Sequence, residues 1–220
     1  MIFEKGHLYH IFNQGNNKQK IFYTRDNYIY FLKKLNNRIL PYADILSWCL
    51  MPNHFHMMVL VNRIKLNIDE TIHKMANNQS ENSHQMNINT ETLNTSIAIM
   101  LRSYTRAINK QENRTGSLFK PHTKAECINC FRGVAPSFIR SDVLINYHLS
   151  EKQYPEVCFN YIHQNPVKAK LVNNVVEWEF SSARDYAGLR NGKLINKVIA
   201  KEYVDISTNS SDEFQNLIIR

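Results

Sequence analysis

Two strongly apolar runs, Ala43 to Leu50 and Phe55 to Val61, are separated only by Met51-Pro52-Asn53. Such a short connection of turn-forming residues leaves no room for a crossover, so the runs pair as antiparallel strands of one sheet. This hairpin constrains the fold more than any other stretch. It also carries His54 and His56 at the start of its second strand. Successive side chains in a strand point to opposite faces, so the two imidazoles leave the same face about 7 Å apart along the backbone, near enough to share one metal ion. Taken alone, the pair equally fits a partly exposed strand end with two unrelated histidines.

The flanking pattern extends the hairpin into a domain. Leu8 to Asn13 is apolar and aromatic and ends at Gln14-Gly15-Asn16-Asn17, a strand followed by a turn. Thr24 or Asp26 caps a helix in which Tyr28, Phe31, Leu32, Leu35 and Ile39 recur at helical spacing, and Pro41 closes it. After the hairpin, Ile68 to Met75 reads as a short helix, and the Asn-, Ser-, Gln- and Thr-rich stretch 77–94 as a linker with little to bury. Thr95 or Asn94 then starts an amphipathic helix with Ile97, Met100, Leu101, Tyr104 and Ile108 on one stripe, ended by Asn113-Arg114-Thr115-Gly116. Ser117 to Phe119 and Lys124 to Ile128 offer a last strand. The resulting βαββαβ order predicts an α+β, ferredoxin-like sandwich with a central antiparallel sheet over residues 1–130. Residues 131–220 read as a C-terminal helical extension, with one helix ending at Pro166 and another at Ser181 to Tyr186.

A chain of 220 residues suits one domain with an appendage. The formal charge of +8 favours an acidic partner, most often nucleic acid. No apolar run reaches the roughly 20 residues that span a bilayer. Met1 to Lys5 shows no signal-peptide pattern, so a cytoplasmic location, nucleoid-associated on DNA, and reduced thiols are expected. Among Cys49, Cys127, Cys130 and Cys158, only Cys127-Ile128-Asn129-Cys130 has the spacing of a zinc or redox pair, and structural zinc would need two further ligands from elsewhere.

Tyr104 lies on the inward stripe of its helix, which in this sandwich packs on the sheet that carries the histidines. The spacing allows a meeting, and it also fits a core aromatic whose hydroxyl reaches a polar edge. A phenol is a poor nucleophile near its usual pKa of about 10, but a divalent metal can polarise a phosphate under attack while a base takes the proton. Arg102, Arg106, Lys110 and Arg114 flank this helix, and Lys120, His122 and Lys124 follow it, a basic neighbourhood suited to a phosphate backbone or to plain solvation.

Five blocks of the sequence, in order, resemble the single-tyrosine HUH transposases and more narrowly their REP-associated tyrosine transposase branch. They are Tyr9 to Asn17, Met51 to His56, Ser103-Tyr104-Thr105-Arg106 with Asn109, Arg114 to Phe119, and Tyr161-Ile162-His163-Gln164-Asn165-Pro166-Val167-Lys168-Ala169. The resemblance implies an endonuclease and strand transferase of single-stranded DNA that recognises hairpins made by imperfect palindromes. It implies that His54 and His56 ligate Mg²⁺ or Mn²⁺ and that Tyr104 forms a 5′-phosphotyrosine. Family members supply a further ligand from a glutamine one turn beyond the tyrosine, where this chain has Ile108, which has no donor atom. Asn109 fits the branch pattern and Gln111 fits the helical direction as replacements. Lys168, Lys170, Arg184 and Arg190 are candidates for hairpin contacts, and the unit is expected as a monomer or a homodimer. The alternatives are a replication initiator or relaxase, a domesticated hairpin-binding protein that no longer cuts, and a phosphoesterase that uses activated water.

Overall fold

The structure is a computed structural model in which residues 1–67, 90–130, 136–139 and 151–206 are described. Strand β1 (Leu8–Gln14) leads through a 3-10 turn at Asn16–Lys18 to α1 (Arg25–Arg38), then to β2 (Ala43–Met51) and β3 (His54–Val61). A ribbon of β4 (Lys65–Asn67) and β5 (Thr90–Thr92) precedes α2 (Leu93–Gln111), and β6 (Lys124–Cys127) completes the main sheet. Helix α3 (Tyr154–Lys168) and two one-turn helices, α4 (Ala183–Tyr186) and α5 (Lys197–Ala200), follow. The main sheet runs β2-β3-β1-β6 with every pairing antiparallel, as the βαββαβ order of a ferredoxin-like sandwich requires.

The hairpin forms as its sequence dictates, with Met51 opposite His54. Its turn is pinned from outside: the Pro52 carbonyl accepts from the Ile21 and Phe22 amides at 2.8 and 3.2 Å, and the Asn53 carbonyl from the Gly15 amide at 2.7 Å. Gly15 is obligatory here, because a Cβ would stand 2.1 Å from the Gln19 carbonyl oxygen. Helix α1 starts at Thr24 as expected, with the Asn27 carboxamide accepting from the Tyr23 and Thr24 amides at 2.9 and 3.0 Å.

The side-chain period of two divides the apolar residues between two cores. One face of the sheet presents Tyr9, Ile11, Trp48, Leu50, Phe55, Met57 and Val59 to α1 and α2, which contribute Phe31, Leu35, Ile97, Met100, Tyr104 and Ile108. The other face presents Leu8, Cys49, Met51 and Met58 to α3, which contributes Val157, Cys158 and Ile162. A register shift between Ile45 and Ser47 sends Ile45 to the first core and Leu46 to the second. The C-terminal helical segment therefore covers the face that a two-layer sandwich leaves open.

Several local expectations are corrected. Helix α2 is capped by Thr92, whose Oγ1 accepts from the Thr95 amide at 3.1 Å, so it begins before Asn94 and Thr95, and Thr90–Thr92 is strand rather than linker. Helix α3 does not stop at Pro166 but runs to Lys168, because the amide missing at Pro166 costs only one bond in the final turn. Cys127 and Cys130 are joined as a disulfide rather than reduced, the turn at Ile128-Asn129 setting their Cα atoms 5.7 Å apart. The helix expected at Ile68 to Met75 and most of the 77–94 linker lie outside the described residues. No helix among the described residues is long and apolar enough to cross a membrane.

Candidate functional site

His54 and His56 do project from one face of β3, with ring centroids 5.0 Å apart. That face belongs to the second core, beneath α3. Opposite His56 in the register stands Phe12, and one pair further along β1 stands His10, which is fully buried. The His10 Nε2 lies 2.9 Å from the His56 Nδ1, and the His10 Nδ1 lies 4.0 Å from a Glu126 carboxylate oxygen on β6. A carboxylate can only accept, so a consistent chain has His56 Nδ1–H donating to His10 and the His10 Nδ1–H directed toward Glu126. This leaves the His56 Nε2 bare. His54 reaches the same state by donating from Nδ1 to the Asn53 Oδ1 at 2.5 Å. Both rings thus keep Nε2 unprotonated, with Nδ1 held by an outer partner as in metal-ligating histidines.

Burial holds the three imidazoles neutral. His10 and His54 are lowered from the ordinary histidine value mainly by desolvation, with Glu126 and Asn165 respectively opposing. His56 is lowered furthest, by burial and by the neighbouring His10 and His54. A neutral ring is the ligating form.

Helix α3 places Tyr161, Asn165 and Lys168 over the pair, at offsets of four and three residues that stack them on one side. The Tyr161 ring meets His56 edge-on at 5.3 Å and His10 at 5.8 Å, and stacks on Phe138 at 5.5 Å. The Asn165 Nδ2 donates to the Tyr161 carbonyl at 2.7 Å, and its carboxamide touches both the His54 ring and the Tyr161 hydroxyl. Burial, together with Cys158, pushes the Tyr161 phenol up to about 12 against the opposing bond from Asn165. Burial alone brings the Lys168 ammonium down to about 8, and its Nζ lies 5.8 Å from the Tyr161 ring centre. These groups line two adjoining clefts of 280 and 260 Å³, the first with Phe138 and Lys168, the second with Lys120, His122 and Lys124. Clefts of 340 and 440 Å³ lie elsewhere, beside His163 and beside Gly192, and neither joins a histidine pair to a tyrosine.

Tyr104 does not meet the histidines. It sits in the first core, on the opposite side of the sheet, with no exposed surface, and its hydroxyl donates to the Ile21 carbonyl at 2.8 Å. Burial raises its phenol well above the ordinary range. Asn109, the expected third ligand, donates to the Gly116 carbonyl at 2.8 Å, and Gln111 accepts from Asn27 at 2.7 Å, both on that far side. Arg102, Arg106 and Lys110 point to solvent from α2, and Arg114 donates to the Tyr23 hydroxyl at 3.2 Å. Of the expected basic neighbourhood, Lys120, His122 and Lys124 line the cleft. In the C-terminal segment Lys168 joins it too, whereas Arg190 is bound to Asp185 at 2.6 Å and to the Ser181 carbonyl at 2.6 Å.

The sequence held a signal for the tyrosine that lies beside the histidines. The polar residue sought one turn after Tyr104, where Ile108 stands, is present one turn after Tyr161 as Asn165. His10 had a weaker signal, its alternation with Phe12 on a strand that pairs with the histidine strand.

No family model matches this sequence, and no curated protein matches it. A solved structure to which the chain is similar is that of a REP associated tyrosine transposase bound to a REP hairpin, with 16% identity, 86% of this chain and 83% of that chain covered, and a TM-score of 0.46.

Proposed function

We propose that this chain is a metal-dependent nuclease and strand transferase of single-stranded DNA, of the single-tyrosine HUH type, in which Tyr161 rather than Tyr104 is the nucleophile. The observation that carries the reading is the convergence of two neutral histidines, Asn165 and Tyr161 on two adjoining clefts, the second of them basic, all supplied by a single chain. His54 Nε2, His56 Nε2 and the Asn165 oxygen would hold the ion, and two imidazoles suit Mn²⁺ better than Mg²⁺. A cation held there supplies Lewis-acid polarisation of the scissile phosphate.

The protein's own groups do the rest. His10 orients the His56 ring, with Glu126 4.0 Å beyond it favouring the required tautomer, and Asn53 orients that of His54. At about 12 the Tyr161 phenol keeps its proton in the resting site and gives it up to water as it attacks, while Lys168, brought down to about 8, is still chiefly an ammonium near pH 7. The Tyr161 Oη–P bond forms as the P–O3′ bond breaks, and the 3′ oxygen leaves as a hydroxyl by taking up a proton. One phosphodiester replaces another, so no nucleotide is consumed, and a second 3′-hydroxyl can reverse the attack and join a new strand. Lys120, Lys124 and Lys168 suit a phosphate backbone, and the exposed edges of Phe12 and Tyr161 suit stacking by unpaired bases. A hairpin with single-stranded flanks is the proposed substrate. Asn165 offers the donor that Ile108 lacks, which weighs against a binder that no longer cuts.

The test is incubation of hairpin oligonucleotides carrying single-stranded flanks with the full chain and Mn²⁺. A covalent protein–DNA band that requires Tyr161 and His56 is expected. Binding without any covalent product across the panel would favour the non-cutting binder, and cleavage that survives Tyr161→Phe would favour water as the nucleophile.

A further inference from the structure

The Cys127-x-x-Cys130 pair, which lacked partners in the sequence, gains one in the fold. His7 immediately precedes β1, which pairs antiparallel with β6, so the start of β1 lies beside the end of β6. The His7 Nδ1 stands 3.4 Å from the Cys130 Sγ and 3.9 Å from the Cys127 Sγ. The three ligand atoms all lie within 4.8 Å of one another. Zinc in a tetrahedral site at Zn–N of about 2.05 Å and Zn–S of about 2.3 Å requires nitrogen–sulfur edges of about 3.5 Å and a sulfur–sulfur edge of about 3.8 Å. Two of the three edges are therefore already near their required lengths. The other ring nitrogen of His7 faces Glu4, with Nε2 3.6 Å from a carboxylate oxygen. That placement favours a proton on Nε2 and leaves Nδ1 bare toward the sulfurs, the carboxylate–histidine–metal arrangement. The turn itself is anchored, since the Asn129 Oδ1 accepts from the Leu8 amide at 2.8 Å and the Ile128 amide donates to the Leu8 carbonyl at 3.0 Å.

We propose that His7, Cys127 and Cys130 form a zinc site in the reduced protein, with water in the fourth position, separate from the cleft of His54 and His56. The two lie toward opposite ends of β1, roughly 17 Å apart between His7 and Phe12. A dithiol reductant converts the disulfide to two thiols while closing its own disulfide, and each thiol releases one proton as its sulfur binds the ion. The metal then ties the start of β1 to the end of β6, the strand that carries Glu126 toward His10 and Lys124 toward the cleft.

The probe is Co²⁺, which reports thiolate ligation by a sulfur-to-metal charge-transfer band and tetrahedral geometry by visible d–d bands. It is titrated into the full chain after reduction with a phosphine and removal of metal, and the titration is repeated on the His54→Ala/His56→Ala double variant. Both proteins are expected to show the thiolate band at one ion per chain, displaced by one equivalent of Zn²⁺. Cys130→Ser should weaken Zn²⁺ binding by roughly 100-fold, and Glu4→Gln by about 10-fold. Absence of the band in the reduced wild-type chain, or its persistence unchanged in both His7→Ala and Cys127→Ser, would overturn the proposal.

Discussion

The two tyrosines give the sharpest test, because the sheet between them makes opposite demands on each. Tyr104→Phe deletes a hydroxyl with no exposed surface and leaves the Ile21 carbonyl, its acceptor at 2.8 Å, without that partner. Losing a buried hydrogen bond of this kind costs about 1–3 kcal/mol. For a domain of this size each kcal/mol shifts the melting midpoint by about 2–4 °C, so a fall of roughly 2–12 °C is expected. The reaction should be untouched at temperatures where the variant is folded. Tyr161→Phe deletes a half-buried hydroxyl over the cleft and should change stability by less than about 1 kcal/mol while abolishing the covalent adduct. Both quantities are read from the same preparations, the midpoint by circular dichroism and the adduct by denaturing gel with a hairpin substrate and Mn²⁺. A folded Tyr104→Phe protein that forms no adduct, beside a Tyr161→Phe protein that does, would refute the assignment of the nucleophile from geometry.

Three other outcomes follow from particular contacts. Gly15→Ala puts a methyl 2.1 Å from the Gln19 carbonyl oxygen and should destabilise the chain by about 3 kcal/mol or more, measured by urea denaturation. His163 is buried, held at 2.7 Å by the Ser182 hydroxyl, and pushed down by desolvation to about 3. The unfolded chain takes up that proton first, so its contribution is complete above pH 6.5 and is lost as pH falls toward about 3, at up to about 1.4 kcal/mol per unit. Denaturation midpoints measured between pH 6 and 4 should therefore fall less steeply for His163→Gln, and equal slopes would count against the buried neutral ring. Lys120→Ala and Lys124→Ala should each reduce the salt dependence of hairpin binding by about one in log–log slope, whereas Arg102→Ala and Arg106→Ala, on the far side of the sheet, should leave it unchanged by fluorescence anisotropy.

Much of the fold was legible because its signals are local. The turn at Met51-Pro52-Asn53, the stripe from Ile97 to Ile108 and the cap at Thr24 are set by neighbours a few residues away, and the βαββαβ order followed from them. The boundaries that moved were those with competing choices, such as Thr92, Asn94 and Thr95 at the start of α2. Pro166 misled because a proline removes only its own bond to the carbonyl four residues back, and the turn beyond it still closes, with the Ala169 amide donating to the Asn165 carbonyl at 2.9 Å.

The site divided along the same line. That His54 and His56 share a face was fixed by strand periodicity alone, as was the inward orientation of Tyr104, Ile97 and Ile108. What periodicity cannot state is which of two faces an inward residue looks toward. A sheet about 10 Å thick with its packed layers separates everything on one side from everything on the other. Only the tertiary structure decided that α2 packs against Phe55 and Met57 while α3 packs over the histidines, and that decision sets Tyr161 and Asn165, not Tyr104 and Asn109, beside His54 and His56. It likewise set His7 beside Cys127 and Cys130, residues that are far apart in sequence and neighbours only because β1 and β6 pair.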